Sequence, residues 1–308
     1  MKIILSNEEI ETKNLPNDIQ VKRVKLDLLD KYNHNSDVIA VVGTRAMAIK
    51  CIELDLPSLK LFQLTSAGFD GVPIKEYADK GVMVANAGGI YSNPIAETVV
   101  FGILLVAKRL RNNPNNRHFK LTRNYKFISE LTDKKILIMG AGNIGTAIAN
   151  RLSGFECVID GYDPYCPHKP QYSNIIRSRE GLIKNIGQYD YIVSTLPDNE
   201  HTKGFIDLEI LSNMKKSAFI INVGRKSVFN NIDFYNALKK RTIGGAVLDM
   251  FELVPNFVTN KFRRLSNVVI LPGVAAISQE TNIRLKKYLT DNIIALINGE
   301  DPANIINS

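Results

Sequence analysis

The chain has little of what marks several large protein classes. Its 308 residues include only three cysteines, Cys51, Cys157 and Cys166. They form no C-x-x-C pair, and any disulfide scheme leaves one thiol over. A disulfide scaffold is thereby excluded, and reduced, mostly structural thiols in a cytoplasm are expected. There are four histidines, His34, His118, His168 and His201. They form no cluster at metal-ligand spacing, so no metal site is expected. No stretch approaches the roughly 20 apolar residues of a membrane span. Residues 95–107 come nearest and read as a buried helix. The first residues, MKIILSNEEIETKN, turn acidic too early for a secretory leader. Solenoid periods and long low-complexity tracts are absent.

The chain is otherwise ordinary for a folded protein, with 45% hydrophobic and 23% charged residues. Its length exceeds what one hydrophobic core usually serves, so two domains are expected. Short β-branched runs alternate with amphipathic helical stretches. Strand candidates are residues 2–5, 38–42, 59–65, 83–85, 135–139, 157–161, 191–195, 218–223, 246–249 and 268–271. This alternation implies parallel sheets joined by right-handed crossovers. Two longer helical stretches stand out, at 94–110 and 278–298. A polar segment, RNNPNNRHFKLTRNYKFISELTD, separates the first of these from Lys135 and marks a boundary.

The sharpest local signal is KKILIMGAGNIGTAIANRL. Gly140, Gly142 and Gly145 form a G-x-G-x-x-G between an apolar strand and a helix. The three glycines allow a tight turn, close approach to a pyrophosphate, and close helix–strand packing. The free N–H groups of Asn143 and Ile144 at the helix start then face phosphate. A second strand, ECVIDGYD, ends in Asp163, 18 residues beyond Gly145. An acid there accepts from the adenosine ribose hydroxyls and repels a 2′-phosphate, which favours NAD over NADP.

Through these motifs and others in register with them, the chain resembles the D-isomer-specific 2-hydroxyacid dehydrogenases over nearly its whole length. The segments that carry the likeness run in order: QLTSAGFDGVP, GVMVANAGGIYSNPIAETVVFGILLVAKR, the glycine loop, STLPDNEHTKGFI, MKKSAFIINVGRKSV, GGAVLDMFELVP and NVVILPGVAAISQET. The resemblance implies an α/β architecture in which a Rossmann-type doubly wound parallel sheet is inserted into a smaller flavodoxin-like α/β substrate domain. The expected boundaries are 1–108 plus 277–308 for the substrate domain and 109–276 for the NAD-binding domain. The resemblance also implies a cytoplasmic homodimer acting on a small 2-oxo or 2-hydroxy acid.

It further implies residue roles. Ala67 and Gly68 match the backbone groups that hold the substrate carboxylate. Arg225 matches the arginine that bridges carboxylate and reacting carbonyl, a role suited to its permanent charge and forked donors. Thr195 and Pro197 match the loop over the cofactor, and Val223 falls among the cofactor contacts. Asp249 matches the acceptor for the nicotinamide carboxamide.

Three positions depart from the family pattern. Where the family has the histidine that protonates the alkoxide, in T-P-H-I-G-G, this chain has Gly273. The glutamate that orients that histidine is replaced by Val254. A buried carboxylate without its histidine is costly, so the two changes belong together. Lys226 stands where a glycine usually follows the arginine, and would be strained if that backbone needs positive φ. His201 and Lys226 are the remaining candidates for a proton donor. Two functions follow: weak hydride transfer, or a catalytically silent NAD-binding regulatory or partner subunit.

The formal charge of +8 raises nucleic-acid binding as a third possibility. No helix-turn-helix, zinc-finger or RNA-recognition signature accompanies it. Seven of the eight net charges fall on Lys108, Arg109, Arg111, Arg117, Lys120, Arg123 and Lys126, with no acid between them. That run reads as a solvated arm or as an anion-attracting rim.

Overall fold

Ten strands expected from the β-branched runs are present, and all of them pair in parallel. The structure is a computed structural model and describes residues 1–13, 15–111, 120–121, 128–249 and 261–307. These residues divide into two units by their contacts, Met1–Tyr91 with Ser278–Ser308, and Ser92–Ile277.

The first unit holds five strands, β1 (Lys2–Ser6), β2 (Ile19–Arg23), β3 (Val38–Gly43), β4 (Leu61–Leu64) and β5 (Met83–Ala85). Their order in the sheet is β2-β1-β3-β4-β5, the flavodoxin-like order. One face is covered by helices α1 (Arg45–Cys51) and α2 (Ile74–Asp79), through Met47, Ala48, Cys51 and Tyr77. Burial pushes the Cys51 thiol up to about 11, which keeps it an inert core group.

The other face is covered from the far end of the chain. The last helix (Gln279–Asn298) lays Leu289 and Ile293 on Ile4, Ala40, Val42, Leu61 and Ala85. Ser278 caps its start by accepting from the Thr281 N–H, and Gly299 ends it in the left-handed region. A buried polar contact fixes its register: Asn292 Nδ2 donates to Gln63 Oε1 at 2.6 Å, and Asn292 Oδ1 accepts from the Ala303 N–H at 3.0 Å. The tail beyond it bridges Ala85 through Ile305 and covers the free edge of β5.

The second unit opens with α3 (Ser92–Ala107) and a two-residue antiparallel pair, β6 (Leu110–Arg111) and β7 (Lys120–Leu121). Seven strands follow: β8 (Lys135–Met139), β9 (Val158–Tyr162), β10 (Asn174–Ile176), β11 (Tyr191–Ser194), β12 (Phe219–Asn222), β13 (Gly245–Leu248) and β14 (Val268–Ile270). Their order, β10-β9-β8-β11-β12-β13-β14, is the doubly wound dinucleotide order with one strand added. The order reverses between β8 and β11, so the ligand crevice lies outside the carboxyl ends of those strands.

Helices α5 (Arg179–Asn185), α6 (Leu208–Asn213) and α7 (Asn231–Lys239) cover one face, around Leu182, Ile210, Leu211, Phe234 and Leu238. Helix α4 (Asn143–Leu152) packs against α3. A Cβ on Gly102 of α3 would stand 3.2 Å from Val247 Cγ1, so α3 lies close on the second sheet. This packing sets the division at residue 91, before α3, whereas the sequence places it after that helix, at 108.

Two edge strands went unrecognised in the sequence, Ile19–Arg23 and Asn174–Ile176. The first alternates apolar residues with Gln and Lys, and the second has three residues, too few for a period. No described helix is long and apolar enough to cross a membrane.

Asn292→Leu leaves the buried Gln63 oxygen and the Ala303 N–H without partners. It is expected to lower stability by about 1–3 kcal/mol. Urea unfolding measures this, and an unchanged midpoint at unchanged slope would show that the contact does not hold the last helix.

Candidate dinucleotide and carboxylate sites

The glycine loop follows β8, and its geometry is set by close approach. Gly140 has φ +97, and a Cβ there would stand 2.5 Å from Thr195 Oγ1. A Cβ on Gly145 would stand 2.0 Å from the Gly140 carbonyl oxygen. A side chain at Gly140 would meet the Thr195 hydroxyl and hold left-handed backbone, and one at Gly145 would displace main chain. Gly142 is different: nothing lies within 4 Å of its Cβ position, which leaves room for a ligand against the backbone. It is also the N-cap of α4, whose start no side chain caps. The N–H groups of Gly142, Asn143 and Ile144 thus have no acceptor among the described residues. This is an anion cradle with the helix dipole behind it.

Three side chains hold the loop. Thr195 donates its hydroxyl to the Met139 and Gly140 carbonyls, at 3.1 and 3.0 Å, so it serves as a clamp on the loop. Asp163 Oδ2 accepts from the Ala141 N–H at 3.0 Å, and Oδ1 accepts from Tyr165 and Cys166 N–H at 2.9 and 3.0 Å. A carboxylate has about four acceptor positions, which leaves one for a ribose hydroxyl. Lys169 donates to the Ala141 carbonyl at 2.7 Å and to Thr146 Oγ1 at 2.9 Å. Its part was not legible in the sequence, because the contact spans 28 residues and lies in no periodic pattern.

Ser194, Asn222 and Asp249 stand at the carboxyl ends of β11, β12 and β13. Their exposures are 0%, 0% and 2%. Asp249 Oδ2 accepts from the Ala275 N–H at 3.3 Å. Asp249 Oδ1, Ser194 Oγ and both amide atoms of Asn222 have no partner among the described residues. Buried polar atoms without partners are rare in a finished interior. A carboxamide, with two donors and an acceptor, is the kind of group that would satisfy them. The uncapped helix, the open Gly142 and these orphaned atoms all fit a nicotinamide dinucleotide. Val223 is buried and donates its N–H to Ser194 O at 3.1 Å. Pro197 is exposed, and its carbonyl accepts from Thr202 Oγ1 at 2.7 Å in a turn built on Asn199.

Arg225 is half-buried at the start of a 3₁₀ turn, Lys226–Val228. Lys226 is not among the residues with positive φ, so the strain expected there is absent: the turn takes right-handed backbone. Gly273 does have positive φ, +74. The histidine position of the family pattern is therefore left-handed backbone here, which disfavours any L side chain. His201 is exposed in the turn after β11, and its ring has no partner among the described residues. Val254 lies outside the described residues.

In the first unit, the loop after β4 carries Ala67 and Gly68, both half-buried. Asn86 Nδ2 donates to the Ala67 carbonyl at 2.8 Å, and Ser66 Oγ donates to the Gly68 carbonyl at 2.7 Å. With both carbonyls held, the Ala67 and Gly68 N–H groups have no acceptor among the described residues. Tyr91 donates to the Thr65 carbonyl. Burial pushes its phenol up to about 12, so it remains a donor and steadies the loop.

A family model, the NAD binding domain of D-isomer specific 2-hydroxyacid dehydrogenases, matches residues 101–275. A glyoxylate reductase of Thermofilum pendens is 31% identical over 264 residues, covering 82% of this chain and 76% of that protein. The chain belongs to the D-isomer specific 2-hydroxyacid dehydrogenase family. A D-3-phosphoglycerate dehydrogenase of Methanocaldococcus jannaschii is 29% identical over 288 residues, covering 92% of this chain and 54% of that protein. The fold recurs in the crystal structure of a glyoxylate reductase from Paecilomyes thermophila, with TM-score 0.81, 17% identity, and 99% and 98% of the two chains covered. Residues 101–275 are thus a Rossmann-type unit whose cofactor is a nicotinamide dinucleotide.

Gly145→Ala drives a methyl group into the Gly140 carbonyl and is expected to weaken NADH binding at least tenfold by calorimetry. Asp163→Ala is expected to weaken NADH binding also. Unchanged affinity in Asp163→Ala would remove Asp163 from the ribose contact.

Proposed function

We propose that the chain transfers hydride between NAD(H) and a small 2-oxo or 2-hydroxy acid, slowly, in a site that has lost its general acid. The observation that carries this reading is Gly273. It holds left-handed backbone at the histidine position, while the dinucleotide cradle and the carboxylate loop keep their free donors. Glyoxylate and hydroxypyruvate are the first substrates to test, since relatives of this chain are named for them.

Bound NADH supplies a hydride to the substrate carbonyl carbon. The N–H groups of Gly142, Asn143 and Ile144 hold the pyrophosphate. Asp163 takes a ribose hydroxyl and repels a 2′-phosphate, which favours NAD over NADP. Asp249 Oδ1 would accept from the carboxamide, and Val223 and Pro197 would be among the residues that hold the cofactor. Ala67 and Gly68 N–H groups take the substrate carboxylate. Arg225 pairs with that carboxylate and with the oxygen on which negative charge develops. The proton for that oxygen comes from water. Loss of a positioned acid typically costs ~10²–10⁴ in rate. The chain works as a cytoplasmic homodimer joined through its cofactor domains.

The second reading is a silent NAD-binding regulatory or partner subunit, and Gly273 favours it as well. Steady-state NADH oxidation with glyoxylate separates the two. Turnover far below ~10 s⁻¹, abolished in Arg225→Met, is the expected result. Turnover near that median would overturn the loss of the acid. No turnover in either protein would leave the silent subunit. Gly273→His is expected to gain no activity and to lose about 1–2 kcal/mol of stability, because the backbone there is left-handed. A tenfold gain in kcat/KM would show instead that the acid can be restored by one side chain.

A further inference from the structure

Residues 303–307 lie along β5 and continue past its end. Ile306 donates its N–H to the Val84 carbonyl at 2.8 Å. Asn307 donates from Nδ2 to the Val82 carbonyl and accepts the Val84 N–H on Oδ1, both at 2.7 Å. These contacts seat the segment on the strand. The next ones fall on Asn86 and Gly88. The Asn304 carbonyl accepts from the Asn86 N–H at 3.1 Å. Asn304 Nδ2 donates to the Gly88 carbonyl at 3.2 Å and to the Tyr288 hydroxyl at 2.9 Å. That hydroxyl stands 2.8 Å from the Asn86 carbonyl and 2.9 Å from the Ala303 carbonyl, and has one proton for the two. Covering a strand edge requires only partners along β5. The Asn304 amide and the Tyr288 hydroxyl go instead to the segment beyond it, which forms no strand.

That segment in turn grips the carboxylate loop. The Ala87 N–H donates to the Ser66 carbonyl at 3.0 Å. Asn86 Nδ2 donates to the Ala67 carbonyl at 2.8 Å, while its Oδ1 accepts from the Gly88 N–H at 3.0 Å. A trans peptide is planar, so its C=O and N–H point in opposite directions. The peptide of the Ser66 carbonyl carries the Ala67 N–H, and the peptide of the Ala67 carbonyl carries the Gly68 N–H. Holding the two carbonyls from residues 86 and 87 therefore aims the two free donors of the loop. An amide side chain aims reliably only when its own main chain is fixed, and Asn304 and Tyr288 fix that of Asn86.

We infer that residues 303–307 set the carboxylate loop, with Asn304 and Tyr288 as positioning residues that act through Asn86. The inference deepens the proposed function and rests on its reading of Ala67 and Gly68 as the carboxylate donors.

The test uses the full chain with saturating NADH and oxamate, a small 2-oxo acid mimic, as probe. Asn304→Gly removes both amide donors and keeps the main chain, since Asn304 has φ +57, which glycine adopts freely. By hydrogen exchange the Ala87 and Gly88 amides should open several-fold faster. The Ala303 and Ile306 amides, which report the seating of the segment, should keep their protection. Oxamate affinity should fall about tenfold, as for one lost hydrogen bond to a fixed group, with NADH affinity unchanged. Tyr288→Phe should act in the same direction. Unchanged exchange at Ala87 and Gly88, equal loss of protection at Ala303 and Ile306, or unchanged affinity for oxamate where the natural sequence binds it would each overturn the positioning role. Absence of oxamate binding to the natural sequence, with faster exchange in the variant, would overturn instead the carboxylate reading of the loop, and the coupling of the segment to the loop would stand.

Discussion

The second unit depends on how closely the chain passes itself between β8 and α4. The Gly145 backbone lies against the Gly140 carbonyl with no space for a methyl group. That contact sets where the start of α4 points, and thereby where its free N–H groups point. The surrounding side chains preserve it: Thr195 clamps the loop from β11, Asp163 from β9 and Lys169 from the segment beyond. Three strands and one helix start converge on a few atoms of main chain. An anion is then met by backbone donors that need no rearrangement to receive it.

The same economy governs the first unit. A loop whose carbonyls are held by Asn86 and Ser66 presents two N–H groups, and a helix from the end of the chain is locked onto the sheet by one buried amide pair. Both sites use backbone donors fixed by side chains behind them.

The departure at Gly273 has a backbone dimension that motif comparison does not reveal. A missing histidine reads as one lost side chain. Left-handed φ at that position means the local chain path no longer suits a histidine. Lys226 shows the reverse case. Strain there depends on positive φ, and Lys226 does not have it: it begins a 3₁₀ turn.

Much of this protein is determined by its sequence alone. Ten parallel strands, the glycine loop and the acid at the end of β9 are legible because each rests on a local rule, either a period of two or a fixed spacing along one strand–turn–helix. The flavodoxin-like and doubly wound strand orders follow the family likeness. Of the strands that the sequence does not suggest, Ile19–Arg23 and Asn174–Ile176 sit at the edges of the two large sheets, where burial no longer enforces a pattern. Only the tertiary structure decides the rest. Lys169 on the loop, the orphaned atoms of Ser194, Asn222 and Asp249, and Asn304 against Asn86 are meetings of residues distant in sequence. They come together where neighbouring strands end or begin, and no local spacing encodes which strands are neighbours.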